Sequence, residues 1–268
     1  EMALVKSYFR ENSRKYKEVL RYFKKYWQLV GTNFFYILGL YIHNFVFWTT
    51  DMRMVVVESF VCAQPYDMAT CLAMFTNLSA SVIFISRVEM NFHERYKRYS
   101  EAVIGGRGND IENAKRRMFY QLAEELLSLV RLQFIVSVSL FLLCIILLPQ
   151  FGFGGMVMRM YPCLAGGYFI LFVMYAVIIF QYYYNDLNGS LLTSLLFCLV
   201  TFVGSILTSR YLAPVWYGLG VVAGALVGFT FAYYRMRKME RDLDIHIFCA
   251  GNLVEKGFGK KPSNKVYD

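Results

Sequence analysis

Long stretches without a charged residue constrain this chain more than any other feature. Six of them contain no Lys, Arg, Asp or Glu: residues 27–48, 68–86, 132–149, 160–182, 190–208 and 212–234. Crossing a bilayer core of about 30 Å takes roughly 20 apolar residues in a helix, and each stretch is close to that length. The composition, 57% hydrophobic and 18% charged, is too apolar for a water-soluble domain of 268 residues. The sequence therefore predicts an all-α polytopic membrane protein with a six-helix transmembrane bundle.

Basic residues predict the orientation of that bundle. Residues 1–26, residues 87–131 and the part after 234 hold 25 of the 28 Lys and Arg, whereas the alternate connections hold only Arg53, Arg159 and Arg210. Because Lys and Arg are retained on the cytoplasmic side, both termini are predicted inside. We expect a cytoplasmic amphipathic linker helix (1–26), the bundle (27–234) and a cytoplasmic tail (235–268) in a multi-pass protein of the bacterial inner membrane. The net charge of +9 then reflects topology and anionic headgroups, not nucleic acid.

The basic loop between the second and third stretches is predicted to be helical. Glycines at 105, 106 and 108 break the chain, and Asn109 is predicted to cap a new helix with Glu112 as its capping-box partner. Apolar residues then recur at helical spacing: Ile111, Met118, Leu122, Leu126 and Leu129. This spacing predicts a cytoplasmic amphipathic helix that leads into the third span. Residues 5–23 show a similar amphipathic pattern and are expected on the membrane surface or in a linker.

Three other local patterns carry structural expectations. Residues 49–67 read as an acidic outer loop ending in a turn at 64–67, and residues 185–189 read as a tight turn. Gly220, Gly224 and Gly228 follow the small-xxx-small spacing of close helix packing in lipid. The last span is therefore predicted to pack tightly through one glycine face.

Few residues offer catalytic or metal-binding chemistry. The three histidines lie far apart in the sequence, and no triad, carboxylate pair or metal-ligand spacing is present. We therefore predict a non-enzymatic protein without a catalytic residue, metal or other cofactor.

Polar residues inside the predicted spans are more informative, because a polar group in lipid must face protein or a water-filled cavity. Amide, imidazole and tyrosine side chains on helical faces suit a sugar, which stacks on aromatic rings and hydrogen-bonds through its hydroxyls. The candidates for a substrate path are Tyr36, His43, Asn44, Asn77, Tyr168, Tyr175, Tyr182 and Asp186. The alternative is hydrogen bonding between helices, with tyrosines at the interfaces. For Asp186 there are two alternatives: it contacts a cationic sugar, or it caps the turn that leads into the fifth predicted span.

Several collinear motifs resemble those of one family. They are GLYIHNFVFW at 39–48, QPYDMATCLAMFTNLSASVIFISRVEMNFHERY at 64–96, IENAKRRMFYQLAEELLSLVRLQF at 111–134, QYYYND at 181–186 and DLDIHIFC at 242–249. Together they are similar to the second half of the PelG family, the EPS-E exopolysaccharide transporters. The resemblance covers about nine-tenths of the chain, from roughly residue 8 to 249.

This resemblance implies a place in the MOP (multidrug/oligosaccharide/polysaccharide) flippase superfamily. Its members have about twelve helices in two bundles and work by alternating access. The implied partners are a cytosolic glycosyltransferase, PelF, and membrane subunits that include the cyclic-di-GMP receptor PelD. The implied cargo is an amino-sugar polymer of cationic character. Because the chain starts at Glu1 and holds one bundle, we expect further residues upstream.

Three functional hypotheses follow. In the first, the chain is the transmembrane component of an exopolysaccharide exporter and moves polymer through the bundle interior. In the second, it is a scaffold whose basic loop and tail dock a glycosyltransferase, while another component forms the pore. The third, an integral-membrane acyl- or glycosyltransferase, lacks the His-Asp pair or acidic metal motif that such chemistry needs.

Overall fold

A computed structural model describes residues 16–57, 60–78, 90–105, 108–152 and 154–244, and these residues are mostly helical. The helices are α1 (Tyr16–Lys25), α2 (Trp27–Phe47), α3 (Gln64–Asn77), α4 (Met90–Gly105), α5 (Gly108–Leu147), α6 (Met156–Tyr183), α7 (Leu187–Tyr211) and α8 (Leu219–Asp244). Strands β1 (Met54–Val57) and β2 (Phe60–Cys62) lie between α2 and α3. Single 3-10 turns follow α5 (Leu148–Phe151) and precede α8 (Pro214–Trp216).

Five of the described helices are long and apolar enough to cross a membrane. They are Trp27–Phe47, Gly108–Gln150, Met156–Tyr183, Leu187–Tyr211 and Pro214–Glu240. Each contains one of the predicted spans or nearly all of it. The remaining predicted span, 68–86, begins inside α3, and its continuation beyond residue 78 lies outside the described residues.

Helix α5 corrects one prediction about the basic loop. It runs without a break for 40 residues, so the loop helix and the third span form one element. It begins at Gly108, which places Asn109 inside the first turn and not at the cap predicted for it. Met118, Leu122 and Leu129 of the apolar stripe are buried against α4, α6 and α8.

The connection from α2 to α3 differs from the predicted loop. β1 and β2 pair antiparallel, with Val55 opposite Val61 and a bulge beside Val57. Helix α3 starts at Gln64, so the predicted turn at 64–67 is instead its first helical turn. Pro65 is tolerated there because the first turn of a helix does not need its N–H group.

The helices pack in the order α2, α7, α8, α6 and α3, with α5 against α6 and α3. Glycine sets the distance between α7 and α8. A Cβ at Gly224 would overlap Thr201 Oγ1 and lie 3.0 Å from the carbonyl oxygen of Phe197. A Cβ at Gly220 would lie 2.5 Å from Ser205 N, so the two backbones are in direct contact. The predicted glycine packing face is confirmed, and we call this contact the α7–α8 seam.

Candidate functional site

A groove lies between α2 and α3, whose backbones make few close approaches among the described residues although side chains of the two helices meet beside it. It has a volume of about 360 Å³, and the side chain of Phe172 on α6 lies at its base. The residues that define this α2–α3 groove are Tyr41, Asn44, Asp67, Thr70, Phe75 and Phe172. Tyr41 and Phe75 are 42% and 67% exposed, so aromatic surface is available at the groove wall.

The polar groups of the α2–α3 groove are held in place by the surrounding helices. Thr70 Oγ1 donates to Asn44 Oδ1 across the groove at 3.4 Å. The Asp67 carboxylate accepts from Trp48 Nε1 at 3.0 and 3.1 Å, and from the backbone N–H of Ala63 at 3.0 Å. Because these donors come from both sides of the hairpin, the carboxylate is fixed where α2 and α3 approach each other.

This combination of side chains is suited to a carbohydrate. Exposed aromatic rings offer a face on which a sugar ring can stack, and the amide, hydroxyl and carboxylate groups offer hydrogen-bond partners. A concave site with a few fixed polar groups is also the usual form of a small-molecule site. Of the eight candidates from the sequence, Asn44 lines this groove directly.

His43 lies behind the groove wall, fully buried between α3 and α6. Tyr168 Oη donates to the carbonyl oxygen of Leu40 at 3.2 Å, and its contact with His43 Nε2 is also 3.2 Å. A phenol has one proton, so Tyr168 must accept from Nε2–H. In a neutral imidazole with its proton on Nε2, Nδ1 is the acceptor, and Tyr66 Oη donates to it at 2.9 Å. Both ring nitrogens and both phenol groups of this His43 network therefore have partners.

Asn77 is also buried, and its hydrogen bonds join three helices. Its amide nitrogen donates to the carbonyl oxygens of Ala73 and Ala165 at 3.0 and 3.1 Å. Its oxygen accepts from Ser137 Oγ on α5 at 2.8 Å, and Gln133 Nε2 donates to that same Oγ at 2.7 Å. For both His43 and Asn77, the inter-helix hydrogen bonds considered as the alternative are present.

The tyrosine candidates fall into two environments. Tyr168 belongs to the His43 network, whereas Tyr36 and Tyr175 are half-buried and stack on each other with ring centroids 4.8 Å apart. Tyr182, near the end of α6, is also half-buried and packs, like Tyr36, against the buried apolar core that contains Tyr168 and Phe197. The structure therefore brings Tyr36 and Tyr175 together but keeps them apart from the polar groups of the α2–α3 groove.

Asp186 lies at the opposite end of the bundle, in the turn between α6 and α7. Its Oδ1 accepts from the backbone N–H of Gly189 at 3.0 Å and so caps α7. Arg235 of α8 donates to its two oxygens at 2.6 and 3.0 Å, and the carboxylate is almost fully buried. The capping role is therefore present, and a cation from the protein already neutralises the charge.

The candidates from the sequence did not include Tyr41, Asp67 or Phe172. Tyr41 and Asp67 lie within the quoted motifs 39–48 and 64–96, and Asp67 is the last acidic residue before a predicted span. That position was a usable signal, because a carboxylate at a span end must be solvated or bound. Phe172 has no comparable signal, since it is one of many aromatic residues in an apolar helix.

Comparison with known proteins identifies one family. No curated protein and no solved structure matches the chain. A family model does match it over residues 1–248, and its description is "PelG: Putative exopolysaccharide Exporter (EPS-E)". The match covers nearly all of the described helices, five of which have the length and composition of membrane spans. The chain is therefore a multi-pass membrane protein that belongs to the PelG family of exopolysaccharide exporters.

Proposed function

We propose that this chain is the transmembrane component of an exopolysaccharide exporter in the bacterial inner membrane. The polymer would pass along the α2–α3 groove as the six-helix bundle alternates access against a second bundle. The observation that carries the proposal is the groove itself, where exposed aromatic rings and fixed polar groups lie between two helices whose backbones stay apart and whose side chains bridge the gap. The family match over residues 1–248 supports exopolysaccharide as the cargo.

The proposed orientation places both termini and the α4–α5 connection in the cytoplasm, with six spans between the termini. The β-hairpin would then face outward. Val57 is 64% exposed on that hairpin, and Asn109 is exposed at the start of α5, so the two sites offer a direct test. After Cys62 is replaced by Ser, Val57→Cys should react with an impermeant thiol reagent in intact cells and Asn109→Cys should not. Labelling at Asn109 in intact cells would reject the orientation.

Within the path, we propose separate roles for the candidate residues. Asn44 and the newly identified Tyr41 and Asp67 would contact sugar, and the Tyr36–Tyr175 pair would extend the aromatic surface toward the other end of α2. His43, Asn77 and Tyr168 would support the wall through their hydrogen bonds. The proposed cytoplasmic and membrane partners are PelF and PelD.

The scaffold is the second candidate, and one surface favours it. The α4–α5 pair exposes Lys97, Arg98, Arg116 and Arg117, a basic face that could dock a cytosolic glycosyltransferase. Polymer release and co-purification of the glycosyltransferase distinguish the two functions. A scaffold would lose the complex when this face is neutralised, and groove variants would leave export unchanged. A transporter with groove variants would assemble normally and fail to export.

A further inference from the structure

A second groove lies between α5 and α8, which both pack on α6 and whose backbones stay apart in the part of the chain described, although side chains of both join one buried cluster. Its volume is about 410 Å³, within the usual range of about 300–1,000 Å³ for small-molecule sites. Residues that define this α5–α8 groove are Arg116, Leu126, Val130, Val177, Phe229 and Arg237. None of the candidate path residues lines it.

The α5–α8 groove is charged at one end and apolar along the rest. Arg116, Arg237 and Glu240 form the charged end, and Val130, Val173 and Phe229 form the apolar end. Arg116 and Val130 are 14 positions apart on α5, or about 21 Å at 1.5 Å per residue. That length is about half of a hydrocarbon core roughly 30 Å thick plus a headgroup. The groove therefore has the polarity and length of one lipid in one leaflet.

The guanidinium groups at the charged end have N–H donors that the described residues do not occupy. Arg237 Nη1 donates to Glu240 at 2.9 Å, and its guanidinium stacks over the Tyr233 ring at 5.8 Å. The carboxylate recorded closest to Arg116 is Glu112 at 3.8 Å, which is beyond hydrogen-bond distance. Because each guanidinium has five N–H donors, most donors of both residues remain available within the described residues. Phosphate is, with carboxylate, one of the anions that a guanidinium group binds through two parallel hydrogen bonds.

We propose that the α5–α8 groove binds one anionic phospholipid of the cytoplasmic leaflet. Arg116 and Arg237 hold the phosphate, and an acyl chain lies on the apolar surface between α5 and α8. Basic pockets between membrane helices on the cytoplasmic side are typical sites for anionic headgroups. The leaflet assignment rests on the proposed orientation, but the binding itself does not, and it is independent of the export function.

The test measures lipid binding by the purified chain in neutral detergent. Phosphatidylglycerol and phosphatidylcholine are titrated separately, and bound lipid is counted by native mass spectrometry while the melting temperature is recorded. Because a ligand that binds only the folded state stabilises it, phosphatidylglycerol should raise the melting temperature and remain bound as one molecule. Phosphatidylcholine should do neither at the same concentration, and inorganic phosphate alone should have no effect. Equal responses to the two lipids would overturn the proposal.

Variants then locate the site. Arg116→Gln with Arg237→Gln should weaken phosphatidylglycerol binding about tenfold or more, since two charge-assisted contacts are lost. Lys97→Gln with Arg98→Gln is the charge-matched control, because it also removes two exposed cations but both lie on α4 outside the groove. An equal loss in this control would show that binding depends only on general surface charge, which contradicts the proposal.

A steric variant tests the apolar part and covers the case in which the double variant does not fold. Ala123 is exposed and lines the groove, so Ala123→Trp should block the acyl chain while both arginines stay in place. Leu143→Trp on the exposed face of α5 is the control, since it adds an indole outside the groove. Phosphatidylglycerol binding should fall only in Ala123→Trp. Undiminished binding in that variant would show that lipid does not enter the groove.

Discussion

The α7–α8 seam and the α2–α3 groove show two opposite ways of placing helices side by side. In the seam, Gly220 and Gly224 let backbones touch, and a single added Cβ would meet main-chain atoms. In the groove, Tyr41 and Phe75 project from helices whose backbones remain apart, and Asn44 lines the open space between them. Helices in lipid associate mainly through packing and hydrogen bonds, so a bundle can be held together at one place and left open at another. The seam supplies rigidity, and the groove supplies a surface for a ligand.

A large side chain introduced into the α7–α8 seam is expected to cause the largest loss of stability. Gly224→Leu should lower the free energy of unfolding by about 3 kcal/mol or more, at the upper end of overpacking costs, because backbone atoms cannot move aside. Thermal unfolding in detergent measures this loss, together with the yield of folded protein. The control is Gly166→Leu on α6, where a Cβ would have no described atom within 4 Å. Equal yields and melting temperatures for the two variants would mean that the seam is not close-packed.

Loss of the Asp186–Arg235 ion pair, at the end of the seam, is expected to cause the next largest loss of stability. Arg235→Met would leave the buried Asp186 carboxylate without its cation and should cost about 2–3 kcal/mol. Arg98→Met breaks a contact of the same 2.6 Å length, but Glu94 is 66% exposed there, so the cost should stay below about 1 kcal/mol. Melting temperatures of both variants test the contrast. If Arg98→Met is as destabilising as Arg235→Met, burial is not the cause.

Substitutions in the His43 network should cause a smaller loss of stability, part of which a second substitution should restore. His43→Leu removes the acceptor of Tyr66 Oη and should cost about 1–3 kcal/mol. Adding Tyr66→Phe removes the unpaired hydroxyl, so the double variant should be more stable than the sum of the two single losses predicts. A double-mutant cycle of unfolding free energies measures this coupling. Strict additivity would contradict the directed hydrogen bonds assigned to the His43 network.

The groove surface predicts the smallest effect on stability. Tyr41 projects outward, and within the described residues the Asn44 side chain has a single long hydrogen bond, to Thr70, so Tyr41→Ala and Asn44→Leu should change the free energy of unfolding by about 0.5 kcal/mol or less. His43→Leu is the neighbouring comparison on the same helix. A loss at Asn44 as large as that at His43 would place Asn44 in the wall and not on the surface.

The sequence predicted five of the membrane-spanning helices and the seam because both depend on local patterns. A span shows itself as an uncharged apolar stretch, and Gly220, Gly224 and Gly228 share a face by spacing alone. Asn77 was a candidate for the substrate path, with hydrogen bonding between helices as the alternative, because an unpaired amide in lipid is costly. Its partners Gln133 and Ser137 were not predicted, since they lie 56 and 60 residues away and depend on which helices become neighbours.

Local sequence patterns could not predict the groove or the hairpin, because both depend on contacts between separate segments of the chain. A gap between α2 and α3 is a property of the assembled bundle, so Tyr41 and Phe172 could not be assigned to it from spacing. The β-branched run at Val55–Val57 did favour a strand, but pairing with Val61 was needed to form one. In the sequence, Arg235 was one of the basic residues that indicate the orientation of the bundle. Its pairing with Asp186 depends on the turn between α6 and α7, which places the carboxylate beside it.

The central claim is that polymer contacts the α2–α3 groove, and export at matched protein levels tests it most directly. Cells that carry Tyr41→Ala or Asn44→Leu are compared with cells that carry Leu142→Ala, a change on an exposed face of α5. Loss of one stacking ring is worth about 1 kcal/mol, so Tyr41→Ala should lower exported polymer about fivefold. Co-purification of the glycosyltransferase and the output of Leu142→Ala should stay unchanged. Full export by both groove variants would contradict the account.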